Sequence, residues 1–319
     1  MKQSILLTVA AGAMLLANTS VAEQSGSGHY LSGQYTDFSG MPPTKSGFYF
    51  GNYFLDYNNG TFNASKGLPF GGITALGVTA NLQAEVPLVI YAYPFDFHGV
   101  TFSSGIAIPY VWLDVKASAT LDRNGNPLSA SREQSVNGLG DIQLMPIMAS
   151  WTNGDFTVGG MFNVWAPSGD YTAGALANQG LGYWTFEPML AFSWLSKKIG
   201  TEVTLFTAVD FNTENTDANY QSGDIFHVDG TVAQHLPLFG GIAGAGVSAF
   251  YLKQITGDSG SGATLGGFMA KSYGIGPTLS YVHPVGKHTL VVDASWLPQT
   301  YSDNTTKGDY FWAKLTLAF

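Results

Sequence analysis

The segment that ends the chain places the tightest limit on its fold. Residues 311–319 read Phe-Trp-Ala-Lys-Leu-Thr-Leu-Ala-Phe, so apolar side chains recur at every second position and an aromatic residue comes last. A period of two puts Phe311, Leu315 and Phe319 on one face of a strand and Lys314 on the other. An apolar outer face and a mixed inner face are what the wall of a membrane β-barrel requires. The alternative is an ordinary sheet strand of a soluble domain.

The first residues of the chain predict export. Lys2 lies in a short positive segment, residues 5–17 are mainly apolar, and Ser20-Val21-Ala22 supplies small residues before a cleavage point. This pattern predicts a signal peptide over residues 1–22. The apolar core is too short to span a membrane as a helix. We therefore expect the mature chain to begin near Glu23.

The composition of the remaining chain favours a lipid-facing barrel over a helical membrane protein. No run of 18 apolar residues occurs after the export segment, and the longest apolar stretch, 73–97, contains Asn, Gln, Glu and Asp. Charged residues make up 11% and aromatic residues 14%, whereas soluble domains carry about 25% charged residues. There is no cysteine, so disulfides cannot stabilise the exported chain. The net charge of −9 excludes a basic surface for nucleic acid.

Turn residues divide the chain into extended segments joined alternately by short and long connections. Gly, Pro, Asn and Asp mark short turns at 94–99, 152–155, 196–200, 237–240 and 283–287. Longer polar connections lie at about 58–73, 119–138, 169–181, 213–223, 257–270 and 300–308. Eleven connections predict about twelve strands. We thus expect an all-β fold, a transmembrane antiparallel up-and-down β-barrel over 47–319 with short periplasmic turns and longer extracellular loops.

Alternation within several segments predicts which side chains point into the barrel. In 183–194 and 202–212, aromatic and aliphatic residues alternate with polar ones. The inward positions predict a polar network in the lumen, formed by Glu187, Glu202, Asp210, His227, Asp229, Asp293 and Lys314. Segments 74–93, 100–116 and 139–151 alternate poorly, and their faces stay unassigned.

The segment between the export signal and the first strand is open to two interpretations. Residues 23–46 are rich in Gly and Ser and contain Met41-Pro42-Pro43. They form either a plug inside the barrel or a periplasmic tail. If they form a plug, a path for an apolar solute is lined by aromatic residues. The candidates are Tyr30, Tyr35, Phe38, Trp165, Tyr183 and Trp312. The alternative is that these rings only fill the lumen.

Several short stretches resemble a known family. They include Gly28-His29-Tyr30-Leu31-Ser32-Gly33, Gly138-Leu139-Gly140-Asp141-Ile142, Ala166-Pro167-Ser168-Gly169-Asp170-Tyr171, Tyr183-Trp184-Thr185-Phe186, Phe211-Asn212-Thr213-Glu214-Asn215, Ser222-Gly223-Asp224 and Gly257-Asp258-Ser259-Gly260-Ser261-Gly262. With these stretches the chain resembles the family named for the phenol meta-degradation pathway. The resemblance implies an outer-membrane barrel that passes hydrophobic or aromatic compounds, and it supplies no catalytic motif.

Some polar residues are candidates for a catalytic or a metal site, and each of them also has an ordinary structural interpretation. Asp224, His227 and Asp229 could activate water near the extracellular rim, but a hydrogen-bonded pair in the lumen is the commoner arrangement. The acidic loop residues lack calcium-loop spacing and are expected to be solvated; they are Glu214, Asp217, Asp224 and Asp258. The sequence therefore predicts no enzyme, no metal site and no cofactor.

These observations predict a barrel in the outer membrane of a Gram-negative cell that takes up small hydrophobic or aromatic compounds passively. The expected partners are outer-membrane lipid, the solute itself and, through Phe319, the barrel-insertion machinery. Two alternatives remain: a hydrolase at the cell surface, and a structural or adhesive barrel whose loops contact partners.

Overall fold

A computed structural model describes residues 28–70, 73–95, 97–123, 126–263 and 269–319. The predicted signal peptide lies outside these residues and stays a prediction. None of the helices in this part of the chain has the length and apolar character needed to cross a membrane. The described residues form one 3-10 turn, Phe38–Gly40, and fourteen strands. The strands are β1 (Gly47–Phe70), β2 (Ile73–Ala92), β3 (Val100–Ala107), β4 (Tyr110–Arg123), β5 (Asn126–Leu139), β6 (Ile142–Asn153), β7 (Phe156–Ala166), β8 (Thr185–Leu195), β9 (Thr201–Asn212), β10 (Ile225–Leu238), β11 (Gly241–Gln254), β12 (Lys271–Val285), β13 (His288–Asp303) and β14 (Lys307–Ala318).

The fourteen strands form a closed antiparallel barrel of twelve staves. β3 and β4 both pair with β2 and form one stave, which is interrupted at Ile108 and Pro109 because proline cannot donate to the ladder. β5 and β6 form a second interrupted stave, broken at Gly140 and Asp141. Pairing of β1 with β14 closes the wall. The predicted fold class and strand number are confirmed.

Two of the predicted long loops are wrong. Strands β1 and β2 have 24 and 20 residues and continue through most of 58–73. They stay paired as far as the last pair, Phe70 with Ile73. β4 and β5 likewise pair up to Arg123 with Asn126, within the predicted loop 119–138. A membrane-spanning strand needs about 9–11 residues. These two hairpins therefore extend well past the membrane. Beyond it, the backbone of each strand is hydrogen-bonded to the other strand of its hairpin.

The outer surface of the barrel is apolar over most strands. In β8, Phe186, Pro188, Leu190 and Phe192 are exposed while Glu187, Met189 and Ala191 are buried, which follows the predicted alternation. Leu190 is 67% exposed and Leu279 is 61% exposed. Side chains of this kind, repeated around a closed wall, match the lipid-facing band of an outer-membrane barrel.

Residues 28–43 lie inside the barrel, and residues 44–46 are exposed where the segment leads into β1. Tyr30, Tyr35 and Asp37 are buried, and the segment contacts several staves of the wall. Gly33 has φ +87°, which favours glycine, and a Cβ at this position would also collide with Leu297 and Trp312. The main core packs around this segment; it includes Leu55, Met148, Met161, Met189, Phe206, Leu297 and Trp312. We call residues 28–46 the lumen segment.

Candidate functional site

An apolar cavity of about 310 Å³ lies between the wall, the lumen segment and the connection that follows β7. Its size falls within the range of pockets that bind small molecules. Most of the wall residues come from the inner faces of β1, β2 and β4, with others from β6, β7 and β14, and the connection contributes Tyr171 and residues 175–181. The main apolar and aromatic lining residues are Leu31, Tyr53, Tyr57, Phe62, Val78, Ala80, Leu82, Ala84, Val86, Val111, Leu113, Val115, Trp165, Leu176, Tyr310 and Trp312.

The polarity of β2 and β4 is inverted relative to a porin wall. The even-numbered residues 78–86 of β2 are apolar and line the cavity, whereas Asn81, Gln83 and Glu85 are exposed on the outer face. On β4, the odd-numbered residues 111–115 line the cavity. On the outer face, Lys116 forms an exposed ion pair with Glu133 of β5. Such an outer face belongs in water, and this part of the barrel therefore projects beyond the lipid.

His29 connects the lumen segment to the wall at one end of the cavity. Its Nε2 lies 2.8 Å from Asp141 Oδ2, and its Nδ1 lies 2.7 Å from Thr185 Oγ1. The carboxylate of Asp141 also accepts hydrogen bonds from the backbone N–H groups of Gly169 and Leu181, at 2.9 and 2.7 Å. Asp141 therefore holds both the lumen segment and the connection after β7, and its charge is compensated by donors.

The cavity is suited to uncharged solutes. Of the described residues that line it, none is a lysine or an arginine, and Asp141 is the carboxylate among them. A few polar groups, including Gln34, Gln143 and Thr306, interrupt the apolar lining. An anion entering this space would meet one carboxylate, which already pairs with His29, and no lysine or arginine in the wall, so the cost of its desolvation would be poorly offset.

A second cavity of about 40 Å³ lies against the other end of the lumen segment. It shares Gln34, Tyr53, Val86 and Gln143 with the larger cavity. Methionine side chains of β6 and β7 form part of its wall, and methionine adapts easily to new shapes. The two cavities are thus adjacent and separated by side chains.

Hydrogen bonds hold the lumen segment to β9, β10 and β13 of the barrel wall. Tyr30 Oη donates to Asp229 Oδ2 at 2.5 Å, and Gly33 N donates to Asp229 Oδ1 at 3.1 Å. Burial, together with the neighbouring Asp229 carboxylate, raises the pKa of the Tyr30 hydroxyl well above its usual value, so it stays a donor. Phe38 N donates to Glu202 at 2.8 Å and Ser39 Oγ to Asp293 at 2.9 Å.

All seven residues of the predicted lumen network point inward and are buried. They fall into three groups rather than one network. Glu187, Asp210, His227 and Asp229 form the first group. Glu202 pairs with His235, Nε2 to Oε2 2.7 Å. Lys314 Nζ lies 3.5 Å from Asp293 Oδ1 and within 6 Å of the rings of Tyr53 and Trp312.

The six predicted path aromatics are dispersed in the structure. Trp165 and Trp312 line the large cavity, and Tyr35 lines the small one. Tyr30, Phe38 and Tyr183 are not part of either lining. Tyr183 instead contacts the ring of His29 edge-on at 5.2 Å, and Phe38 contacts the ring of His235 in the same way. Their place on a path stays a prediction.

The catalytic candidate has the wrong surroundings for chemistry on a substrate. His227 is fully buried, and its ring stacks on Tyr30 with centroids 3.6 Å apart. Its Nδ1 lies 3.5 Å from Asp229, but this pair is covered by the lumen segment and is remote from solvent. Asp224 is partly exposed at the end of the strand.

Sequence reasoning missed the inner face of β2 and β4, together with His29 and Asp141. The alternation of 78–86 is visible in the sequence, with apolar residues at even positions and polar ones at most odd positions. In a membrane barrel, apolar side chains are usually assigned to the outer face. The alternation of 78–86 predicts the faces of β2 correctly only if this rule is reversed for parts of the strand outside the membrane.

Comparison with solved structures supports the fold. The chain is similar to the crystal structure of an outer membrane channel from Pseudomonas putida, with 11% identity, a TM-score of 0.64, and coverage of 91% of this chain and 100% of that one. Two further structures are less similar: the β-domain of a Bordetella autotransporter (10% identity, TM-score 0.48, 86% of this chain and 100% of that one) and a FadL homologue from Pseudomonas aeruginosa (8%, 0.40, 93% and 97%). A search of curated proteins gave no match.

A family model described as "Putative MetA-pathway of phenol degradation" matches residues 55–315. The match covers most of the chain and nearly all of the barrel. It confirms the resemblance found in the sequence, and the chain belongs to this family.

Proposed function

We propose that this protein is an outer-membrane channel for passive entry of small, neutral hydrophobic compounds. The observation that carries the proposal is the apolar cavity of about 310 Å³ behind the inverted faces of β2 and β4. An apolar solute gains free energy on leaving water for such a lining, at roughly 25 cal/mol per Å² of apolar surface. The cavity thus provides a binding chamber in the part of the barrel that projects beyond the lipid.

The lining favours the binding of uncharged aromatic compounds over the binding of aromatic acids. A neutral aromatic molecule can pack on Trp165 and Trp312 and donate a hydrogen bond to Gln34 or Gln143. A carboxylate would lose its hydration and find no lysine or arginine among the described lining residues, while His29 already pairs with Asp141. Neutral hydrocarbons and phenols are therefore the substrates that we propose, and aromatic acids are not.

The lumen segment lies where a solute must pass from the large cavity towards the periplasm. Its hydrogen bonds to Asp229, Glu202 and Asp293 fix it in the described position. Passage therefore requires part of residues 28–46 to shift, and we propose that solute binding in the chamber precedes this shift. No nucleotide motif occurs in the sequence, so the concentration gradient supplies the driving force.

Location and assembly follow from the same proposal. We propose that residues 1–22 direct export and are removed. Residues 23–46 then remain at the start of the mature chain and include the lumen segment, and residues 47–319 form the barrel. Phe319 is exposed on the outer face, where its ring contacts Phe50 edge-on at 5.4 Å. A terminal aromatic in this position is available to the barrel-insertion machinery of a Gram-negative cell.

The test is uptake by cells that lack the gene and carry the wild-type protein or a variant. Ala80 lines the cavity, whereas the adjacent Asn81 is exposed on the outer face. Ala80→Trp fills the chamber and Asn81→Trp serves as the matched control. We expect the wild type and the control to increase uptake of radiolabelled naphthalene but not of benzoate, and Ala80→Trp to abolish the increase. Equal naphthalene uptake with and without the protein, or full uptake by a correctly assembled Ala80→Trp, would overturn the proposal.

A further inference from the structure

Three side chains from neighbouring staves converge inside the barrel wall, away from the large cavity. Glu187 lies on β8, Asp210 on β9 and His227 on β10. The register pairs Ile225 with Asp210, so His227 lies two residues further along the same inner face. One carboxylate oxygen from each acid and one imidazole nitrogen lie within 4.8 Å of one another. We call these three residues the buried triad.

The triad contains a carboxylate without hydrogen-bond donors. Asp210 is fully buried, yet within the described part of the chain neither of its oxygens has a hydrogen-bond partner. Nε2 of His227 lies 3.0 Å from Glu187 Oε2 and 3.5 Å from Asp210 Oδ1, so a single N–H serves the glutamate. A buried carboxylate left in this state is costly, and native structures normally satisfy it with donors or a metal.

The charge of the cluster is also unbalanced. Glu187, Asp210 and the nearby Asp229 bring three carboxylates, against one imidazole. Among the ion pairs of the described residues, none joins the triad to a lysine or an arginine. Even a protonated His227 leaves an excess of negative charge with no access to water. A divalent cation between the ligand atoms would remove this excess and occupy the free oxygens of Asp210.

The second nitrogen of His227 faces a carboxylate without forming a hydrogen bond to it. Nδ1 lies 3.5 Å from Asp229 Oδ2, and that oxygen accepts the hydrogen bond of Tyr30 at 2.5 Å. Histidines that ligate a metal usually direct their other ring nitrogen to a carboxylate or carbonyl, which orients the ring. The stacked ring of Tyr30 further fixes the plane of the imidazole.

We propose that Glu187, Asp210 and His227 bind a divalent transition-metal ion of the zinc type. One imidazole and two carboxylates match the ligand preferences of Zn²⁺ better than those of Ca²⁺ or Mg²⁺, which favour oxygen ligands alone. The ion ties β8, β9 and β10 together and, through Asp229 and Tyr30, supports the docking of the lumen segment. The site is structural and distinct from the solute cavity. It also differs from the acidic loop residues that the sequence singled out.

The experiment measures metal content of the full chain, refolded from denaturant into detergent after treatment with EDTA, with or without added Zn²⁺. Plasma mass spectrometry gives the ratio of zinc to protein after excess ion is removed. His235 provides the control, because it is buried on the same strand and pairs with Glu202 without a second carboxylate. We expect about one zinc per chain in the wild type and in His235→Gln, and at least a tenfold loss in His227→Gln and in Asp210→Asn.

A second readout covers the case in which the variants do not fold. Co²⁺ replaces Zn²⁺ in the wild-type refolding, and its visible absorption reports inner coordination by nitrogen and oxygen. Bound zinc and a cobalt spectrum that excess Zn²⁺ removes support the site. Wild-type protein that refolds equally well with and without added ion, and binds neither ion, would overturn the proposal. It would indicate that the side chains of the triad share protons instead of binding a metal. Zinc retained at the wild-type ratio by folded His227→Gln would overturn it as well.

Discussion

Replacing Tyr30 with Phe should loosen the lumen segment without removing its packing. The ring of Tyr30 remains stacked on His227, but Asp229 Oδ2 loses the donor at 2.5 Å and keeps only the longer contact to His227 at 3.5 Å. A hydrogen bond to a charged partner contributes about 1.5–3 kcal/mol. Because about 1.4 kcal/mol is a factor of ten, the ratio of displaced to docked segment should rise roughly 10- to 150-fold.

Hydrogen–deuterium exchange in detergent measures this ratio directly. Peptides covering 28–46 should lose protection by the same factor in Tyr30→Phe, whereas peptides from β12 and β13 should exchange as in the wild type. Tyr273→Phe, on the exposed outer face, is the control and should change nothing in the lumen segment. Unchanged protection of 28–46 would refute the idea that Asp229 holds the segment. Equal loss of protection across all staves would indicate general destabilisation instead of release.

Three further outcomes are expected. Lys314→Met leaves Asp293 buried without its cation and should destabilise the barrel by about 3–5 kcal/mol, measured by urea unfolding in detergent; unchanged stability would contradict the pairing. Gly276→Ala would drive a methyl group into the neighbouring strand and should cost about 1–3 kcal/mol in the same assay, whereas Gly160→Ala, with open space around it, should cost less than 1 kcal/mol. A cysteine at Gln83, in a chain that otherwise has none, should react on intact cells with a membrane-impermeant maleimide, and protection of this site would place β2 inside the lipid.

The sequence predicts the barrel well wherever a strand has lipid on one side and polar groups on the other. β8 shows this clearly, since Phe186 and Glu187 lie on opposite faces. In the structure Phe186 is exposed and Glu187 is buried. The sequence left the faces of β2 unassigned, and there the structure reverses the rule, because Glu85 points outward and Leu82 inward. The strand continues beyond the membrane, so the solvent outside it changes from lipid to water and the polarity of its faces reverses.

Long-range contacts of the lumen segment could not be predicted from local pattern. Tyr30 and Asp229 are separated by 199 positions in the chain, and His29 and Asp141 by 112. Nothing in either stretch of sequence specifies its partner, because a Gly-rich segment is equally compatible with a tail in solution. The inward direction of Glu187, Asp210 and His227 was predictable from period two, but their approach across three staves depends on strand register, which the period-two pattern alone does not determine.

A crystal structure of the protein soaked with a neutral bromoaromatic compound such as bromobenzene tests the central claim most directly. Anomalous scattering locates the bromine independently of the phases used to build the protein. We predict a strong bromine peak within the 310 Å³ cavity, near Leu113 and Trp165, and no peak there after soaking with 4-bromobenzoate. Bromine found only on the lipid-facing surface, or equally in the cavity for the neutral compound and the acid, would contradict the account.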